Sequence, residues 1–232
     1  MHRPVKPQDD ISPLFSWKRL TKENELCFSA IGSIFGSILA EKVKYPVGVI
    51  NTSMGGLSIE SYLPKAEVDK NPALVDMMRS IGVYYESDKE YNNAGGRNYT
   101  QLGGVYNEKV SPLKPFSFKG AIWYLGESAC CDDNRAKYYS TSLKLLIKTY
   151  RNYFSNNNLP FVVIDIAECL YPYFYNNGYN LINEANSLLN LKNVYNCPVY
   201  DVEPRWLDKE DKDIYYHPIH PRNKEEIASR TV

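Results

Sequence analysis

"LPFVVIDIAE", residues 159–168, decides the fold. Phe161 to Ile164 is an unbroken apolar, largely β-branched run, Asp165 interrupts it, and Ile166 and Ala167 resume it. A continuous apolar run suits a strand buried on both faces, the situation of parallel sheets, whereas a half-exposed strand alternates. Three other stretches share this character: "YPVGVINTS" (45–53), "FKGAIWYLG" (118–126) and, more weakly, "NVYNCPVYDV" (193–202). Helical patterns separate them. "FSAIGSIFGSILAEKV" (28–43) sets Ile31, Ile34, Phe35 and Ile38 on one face. "AKYYSTSLKLLIKTYRNYF" (136–154) does the same with Leu143, Leu146, Ile147 and Tyr150, and "YNLINEANSLLNL" (179–191) is a shorter third. Helices alternating with buried strands predict an α/β fold, a parallel sheet flanked by helices. One domain spanning 1–232 is expected, with 65–105 as an excursion and "NNAGGRNYTQLGG" (92–104) as a flexible loop.

Ligands of such sheets lie beyond the carboxyl ends of the strands. Here those ends are residues 52–56, the Gly126-Glu127-Ser128 tripeptide, and the region after Val202 that leads into "HPIHPRNKEEIASR" (217–230). Small and ionisable residues therefore gather where a site would be built.

Composition narrows the function classes. Lys and Arg total 27, Asp and Glu total 27, and the formal net charge is zero. No segment has the basic footprint of a nucleic-acid binder, and "LDKEDKD" (207–213) alternates in sign as a solvated loop does. The five cysteines, Cys27, Cys130, Cys131, Cys169 and Cys197, are odd in number and lack ligand spacing. That argues against a disulfide framework, a metal site and any metal cofactor. No apolar run reaches the length of a membrane span. "MHRPVKPQDD" has no apolar stretch after its basic residues, so no signal peptide is read there and the compartment stays open. The 20 tyrosines could line sugar-binding surfaces, but strands and half-buried faces account for more of them.

The chemistry-bearing residues are few. Of three histidines, His2 lies at the terminus, and His217 and His220 stand together before "RNKEE". Pro221 is expected to open the helix that follows, which would hold His220 at a loop mouth as a general base. Glu127 directly follows an apolar strand, where a carboxylate is either solvated or orients an imidazole. Ser53, in Asn51-Thr52-Ser53-Met54-Gly55, misses a nucleophile elbow by its first glycine. It would complete Ser, Glu and His in the chain order of α/β-hydrolases, so Ser53 is carried as an alternative nucleophile.

Jointly, "FSAIGSIFGSILAEKVKYPVGVINTSMGGLSIESYLP", "GVYNEKVSPLKPFSFKGAIWYLGES" and "IHPRNKEEIASR" resemble, in order and spacing, the sialate O-acetylesterase family of SGNH-type hydrolases. The resemblance runs over roughly residues 28–230. It implies a three-layer, flavodoxin-like sheet and an esterase acting on O-acetylated sialic acid or a related sugar, without a cofactor. It implies His220 as general base, Glu127 as the acid that orients it, and the Gly55-Gly56 turn as oxyanion donor, with Ser53 a bystander. The family nucleophile sits in a "GQSNM" motif on the first strand, and this chain contains no Gly-Gln-Ser. Leu125, Ala129 and Pro218 stand where the family carries glutamine, asparagine and aspartate. The expectation is a partial esterase domain lacking its first strand and nucleophile, with family members often exported. A non-catalytic carbohydrate-binding pseudoenzyme is the competing expectation.

Overall fold

A computed structural model of the chain describes residues 3–10, 16–94, 99–167, 178–202 and 220–232. Helix α1 (Ala30–Val43) opens under a Ser29 cap, whose hydroxyl accepts from the Gly32 N–H. An extended stretch, 46–54, follows. The chain then makes a 3-10 turn (Ile59–Tyr62) and three helices, α2 (Lys65–Val68), α3 (Pro72–Ser80) and α4 (Asp88–Asn93). After strand β1 (Ala121–Trp123) come α5 (Glu127–Cys130) and the long α6 (Asp133–Tyr153). Then β2 (Phe161–Ile164), α7 (Gly178–Ser187), β3 (Val194–Cys197) and α8 (Lys224–Ser229) complete the order.

The sheet is parallel, in the order β1-β2-β3. Ala121 lies opposite Phe161, which lies opposite Val194. The central β2 run is buried from both sides, as its sequence requires, whereas β1 is half-buried and β3 exposes Tyr195. Phe161 and Val163 face the main core, which Tyr139, Leu143, Leu146 and Ile147 of α6 and Ile182 of α7 complete. Ile164 and Cys197 face a second cluster closed by Ile227 of α8, with Ile122, Val162 and Ile31 of α1 packed against it. Helices thus cover both faces, the arrangement that lets a parallel sheet exist.

One expectation is corrected. Residues 45–53 form no strand: the stretch is extended, and the backbone of residues 46–50 makes no hydrogen bond among the described residues. A strand is defined by its ladder partner, and this stretch packs instead on α1, where Val49 lies against Gly32 and Gly36. The 65–105 stretch carries helices α2, α3 and α4 in its described part. It supplies Val68, Leu74, Met78, Tyr91 and Leu102 to the main core. Residues 95–98 of the Gly/Asn-rich segment lie outside the described residues, as do His2, Cys169, the 207–213 charge run, His217 and Pro218. Among the described residues, no helix is long and apolar enough to cross a membrane.

Candidate active site

The site is built outward from Tyr62. Its buried side chain meets the Trp123 indole edge-on, with ring centroids 5.4 Å apart. Its hydroxyl accepts from the Met54 N–H (3.1 Å) and donates to the Thr52 carbonyl (3.3 Å). Its own carbonyl accepts from the Tyr150 hydroxyl of α6 at 2.9 Å. One aromatic residue therefore ties the carboxyl end of the 46–54 stretch to the carboxyl end of β1. Loss of water around the phenol pushes its pKa up to about 12, so it stays a neutral donor at physiological pH.

On one side of Tyr62 lies the glycine turn. Gly56 sits at φ +73°, in the left-handed region, and a Cβ at Gly55 or Gly56 would meet nothing within 4 Å. Both are exposed, and neither N–H has a hydrogen-bond partner among the described residues. Ser53, just before them, is also exposed. Its hydroxyl donates to Asn51 Oδ1 at 2.6 Å, and its N–H goes to the same oxygen at 3.0 Å. That is an Asx turn, with the serine proton held by an amide rather than an imidazole. Lys109 Nζ donates to the Ser53 carbonyl at 3.4 Å, and burial of this ammonium, with Arg3 nearby, lowers its pKa.

On the other side stands Glu127, the first residue of α5 and half-buried. Gly126 before it is an extended residue at φ 169°, so its need for glycine is spatial. An added Cβ would come within 2.7 Å of Ile182 Cγ2 and 2.9 Å of Ile166 Cγ2. The Glu127 Oε2 accepts from the Gly126 N–H at 3.1 Å. Buried Tyr139 of α6 holds the approach: its hydroxyl accepts from Trp123 Nε1 (3.0 Å) and donates to the Leu125 carbonyl (2.5 Å). Leu125 and Ala129, the departures from the family pattern, are both buried in the main core.

His220 is exposed, at a bend ahead of α8. Pro221 does not open the helix. Asn223 caps it, accepting from the Glu226 N–H at 3.1 Å, and the first helical residue is Lys224. The proline ring is instead buried. Lys224 Nζ lies 5.6 Å from the Tyr124 ring centroid, so the start of α8 meets the chain just beyond β1, three residues before Glu127. Two further groups escaped sequence reading. Buried Glu60, in the turn after Gly55-Gly56, pairs with Arg135 in the first turn of α6 at 3.8 Å. Asp165, at the carboxyl end of β2, accepts from Asn186 Nδ2 (3.2 Å) and Asn196 Nδ2 (3.3 Å). "GLSIES" and "IDIAE" carry these acids, but their partners are remote in sequence and only the fold brings them in. No group of three or more His, Cys, Asp or Glu side chains suited to a metal ion occurs among the described residues.

Fold and site define an α/β protein of open parallel sheet whose polar and ionisable groups gather at the strands' carboxyl ends. The chain belongs to the family described as carbohydrate esterase, sialic acid-specific acetylesterase, whose model matches residues 10–205. It is 23% identical to the human sialate O-acetylesterase over 250 residues, which covers 98% of this chain and 44% of that protein. The mouse sialate O-acetylesterase is also 23% identical, covering 96% of this chain and 46% of that protein. The crystal structure of a carbohydrate acetylesterase from Xanthomonas citri superposes with a TM-score of 0.76 at 23% identity, over 99% of this chain and 45% of that one. The chain therefore spans less than half the length of the relatives it matches.

Proposed function

We propose that this chain carries the acid–base part of a carbohydrate O-acetylesterase site and, as the 232-residue polypeptide, does not itself turn over acetyl esters. In this reading the substrate is an O-acetylated sialic acid or related sugar. His220 is the general base, Glu127 orients and charge-stabilises its imidazolium, and the N–H groups of Gly55 and Gly56 face the acyl oxygen. The observation that supports it most is the Tyr62 bridge, which joins the approach to the glycine turn and the strand leading to Glu127. Unpartnered backbone donors at an open turn are what an oxyanion needs, because they stabilise charge without reorganising. The Lys224–Tyr124 contact brings the His220 segment toward the same end of the sheet.

A catalytic serine is the piece without a counterpart. The sequence has no Gly-Gln-Ser, and the Ser53 hydroxyl is committed to Asn51. The expected result with p-nitrophenyl acetate is therefore no turnover above the buffer rate. Calorimetry should still detect binding of an O-acetylated sialic acid, weakened in a Glu127→Ala variant. Turnover abolished by His220→Ala, or a Ser53-dependent reaction with a fluorophosphonate, would overturn the proposal.

A further inference from the structure

Helix α5 runs out into two adjacent cysteines, and the fold brings their sulfurs together. Neighbours i and i+1 on a helix ordinarily do not face each other. Here Cys130 is the last residue of α5 and Cys131 is its C-cap, where the chain leaves the helix. Both thiols donate to one acceptor, the Glu127 carbonyl, Cys130 Sγ at 2.8 Å and Cys131 Sγ at 3.4 Å. Each thiol is also a hydrogen-bonding neighbour of the other. Cys131 is exposed, whereas Cys130 is buried in the main core with Gly178 of α7 set against its carbonyl. The pair therefore offers one open sulfur and, behind it, one firmly seated sulfur.

Geometry decides what such a pair can hold. A disulfide between them is disfavoured, because bridged cysteines have Cα atoms about 4.4–6.8 Å apart. Consecutive Cα atoms stand only about 3.8 Å apart across a trans peptide. A structural zinc ion takes four ligands, and no group of three or more His, Cys, Asp or Glu suited to a metal occurs among the described residues. Burial pushes both thiols above their ordinary range, so they stay protonated at neutral pH and are poor targets for alkylation. A trivalent arsenic that bears one organic group needs two sulfurs and nothing more. It does not need the thiolates beforehand, since its own hydroxyls carry the protons away.

We propose that Cys130 and Cys131 form a dithiol site for a trivalent arsenical carrying one organic group, whose arsenic bridges the two sulfurs at the end of α5. Two S–As bonds form and two As–O bonds of the hydrated arsenical break. Each thiol proton leaves with a hydroxide as water, and the arsenic stays trivalent, so no oxidant or reductant is required. Cys131 reacts first because it is exposed, and Cys130 closes the bridge. The second bond is intramolecular, so the bridge outlasts a single S–As bond by about a hundredfold. No sugar or ester enters this inference, and it stands apart from the catalytic reading.

The test treats the full chain with phenylarsine oxide and follows its intact mass. The expected result is one phenylarsenic group per chain, retained in excess 2-mercaptoethanol and released by dithiothreitol. A Cys131→Ser variant, changed at an exposed position, should lose the group to 2-mercaptoethanol about a hundredfold faster, and Cys130→Ala likewise. A chain carrying Cys27→Ser and Cys169→Ser should hold it as the wild type does. Wild-type protein that takes up no phenylarsenic group, or yields it to the monothiol, overturns the proposal. So does a Cys131→Ser chain that holds the group as firmly as the wild type.

Discussion

Three glycines near the strand ends serve different ends, and substitution separates them. Gly126 is held by space, with two isoleucine methyl groups where a Cβ would stand. Gly126→Ala should destabilise the fold by about 1–3 kcal/mol, the usual cost of overpacking, read as a lower urea midpoint. Gly56 is held by its backbone, at φ +73° in open space, and alanine there should cost about 1–2 kcal/mol. Gly55 has neither constraint, so Gly55→Ala should leave stability within about 0.5 kcal/mol. A "MGG" in sequence reads as one turn; only the geometry shows that its second glycine holds it. Gly178 is a fourth case, since an added Cβ would collide with the Cys130 carbonyl, so glycine is what lets α7 lie this close to α5.

At the scale of elements, α6 is the support of the site. Its apolar face fills the core, its Tyr139 and Tyr150 hydroxyls hold the Leu125 and Tyr62 carbonyls, and Asp132 caps its start by accepting from the Arg135 N–H at 2.9 Å. Asp132→Ala should cost about 1 kcal/mol of stability, measured by denaturant unfolding. The helix itself was legible from its periodic leucines, and β2 from its unbroken apolar run, because both signals are local. The 45–53 stretch was misread for the same reason: its composition is that of a buried strand, but pairing depends on what lies alongside. Helices α2 to α4 were missed because they are short and their polar faces mask apolar residues that only tertiary packing brings together. Of the candidate residues, Glu127 is legible after the β1 run and Gly55-Gly56 as a glycine turn after the apolar 45–53 stretch. Tyr62, Tyr139 and the Glu60–Arg135 pair are not, since their partners lie far along the chain.

The stability of the whole molecule has a pH dependence with a definite sign at Asp165. Burial raises its pKa, and the hydrogen bonds from Asn186 and Asn196 only partly oppose this. The folded state then holds this proton more tightly than the unfolded chain, whose aspartates titrate near about 3.9. The contribution is fully present below that value and is lost as pH rises through the folded pKa. Urea midpoints of the wild type relative to Asp165→Asn should therefore fall as pH is raised from about 3.5 toward neutrality. A rising difference would show that the two asparagines outweigh burial, and a flat one that they cancel it.

The chain from Trp123 through Tyr139 to the Leu125 carbonyl has one more consequence. Trp123 is 8% exposed and Trp17 is 65% exposed, so in a Trp206→Phe background, which leaves these two of the chain's three tryptophans, their emission bands separate, one blue and one red. Whatever displaces the backbone just before Glu127 must also disturb the indole's hydrogen bond. The molecule thus carries an optical gauge of its own strand end, read in the blue part of its fluorescence and needing no label.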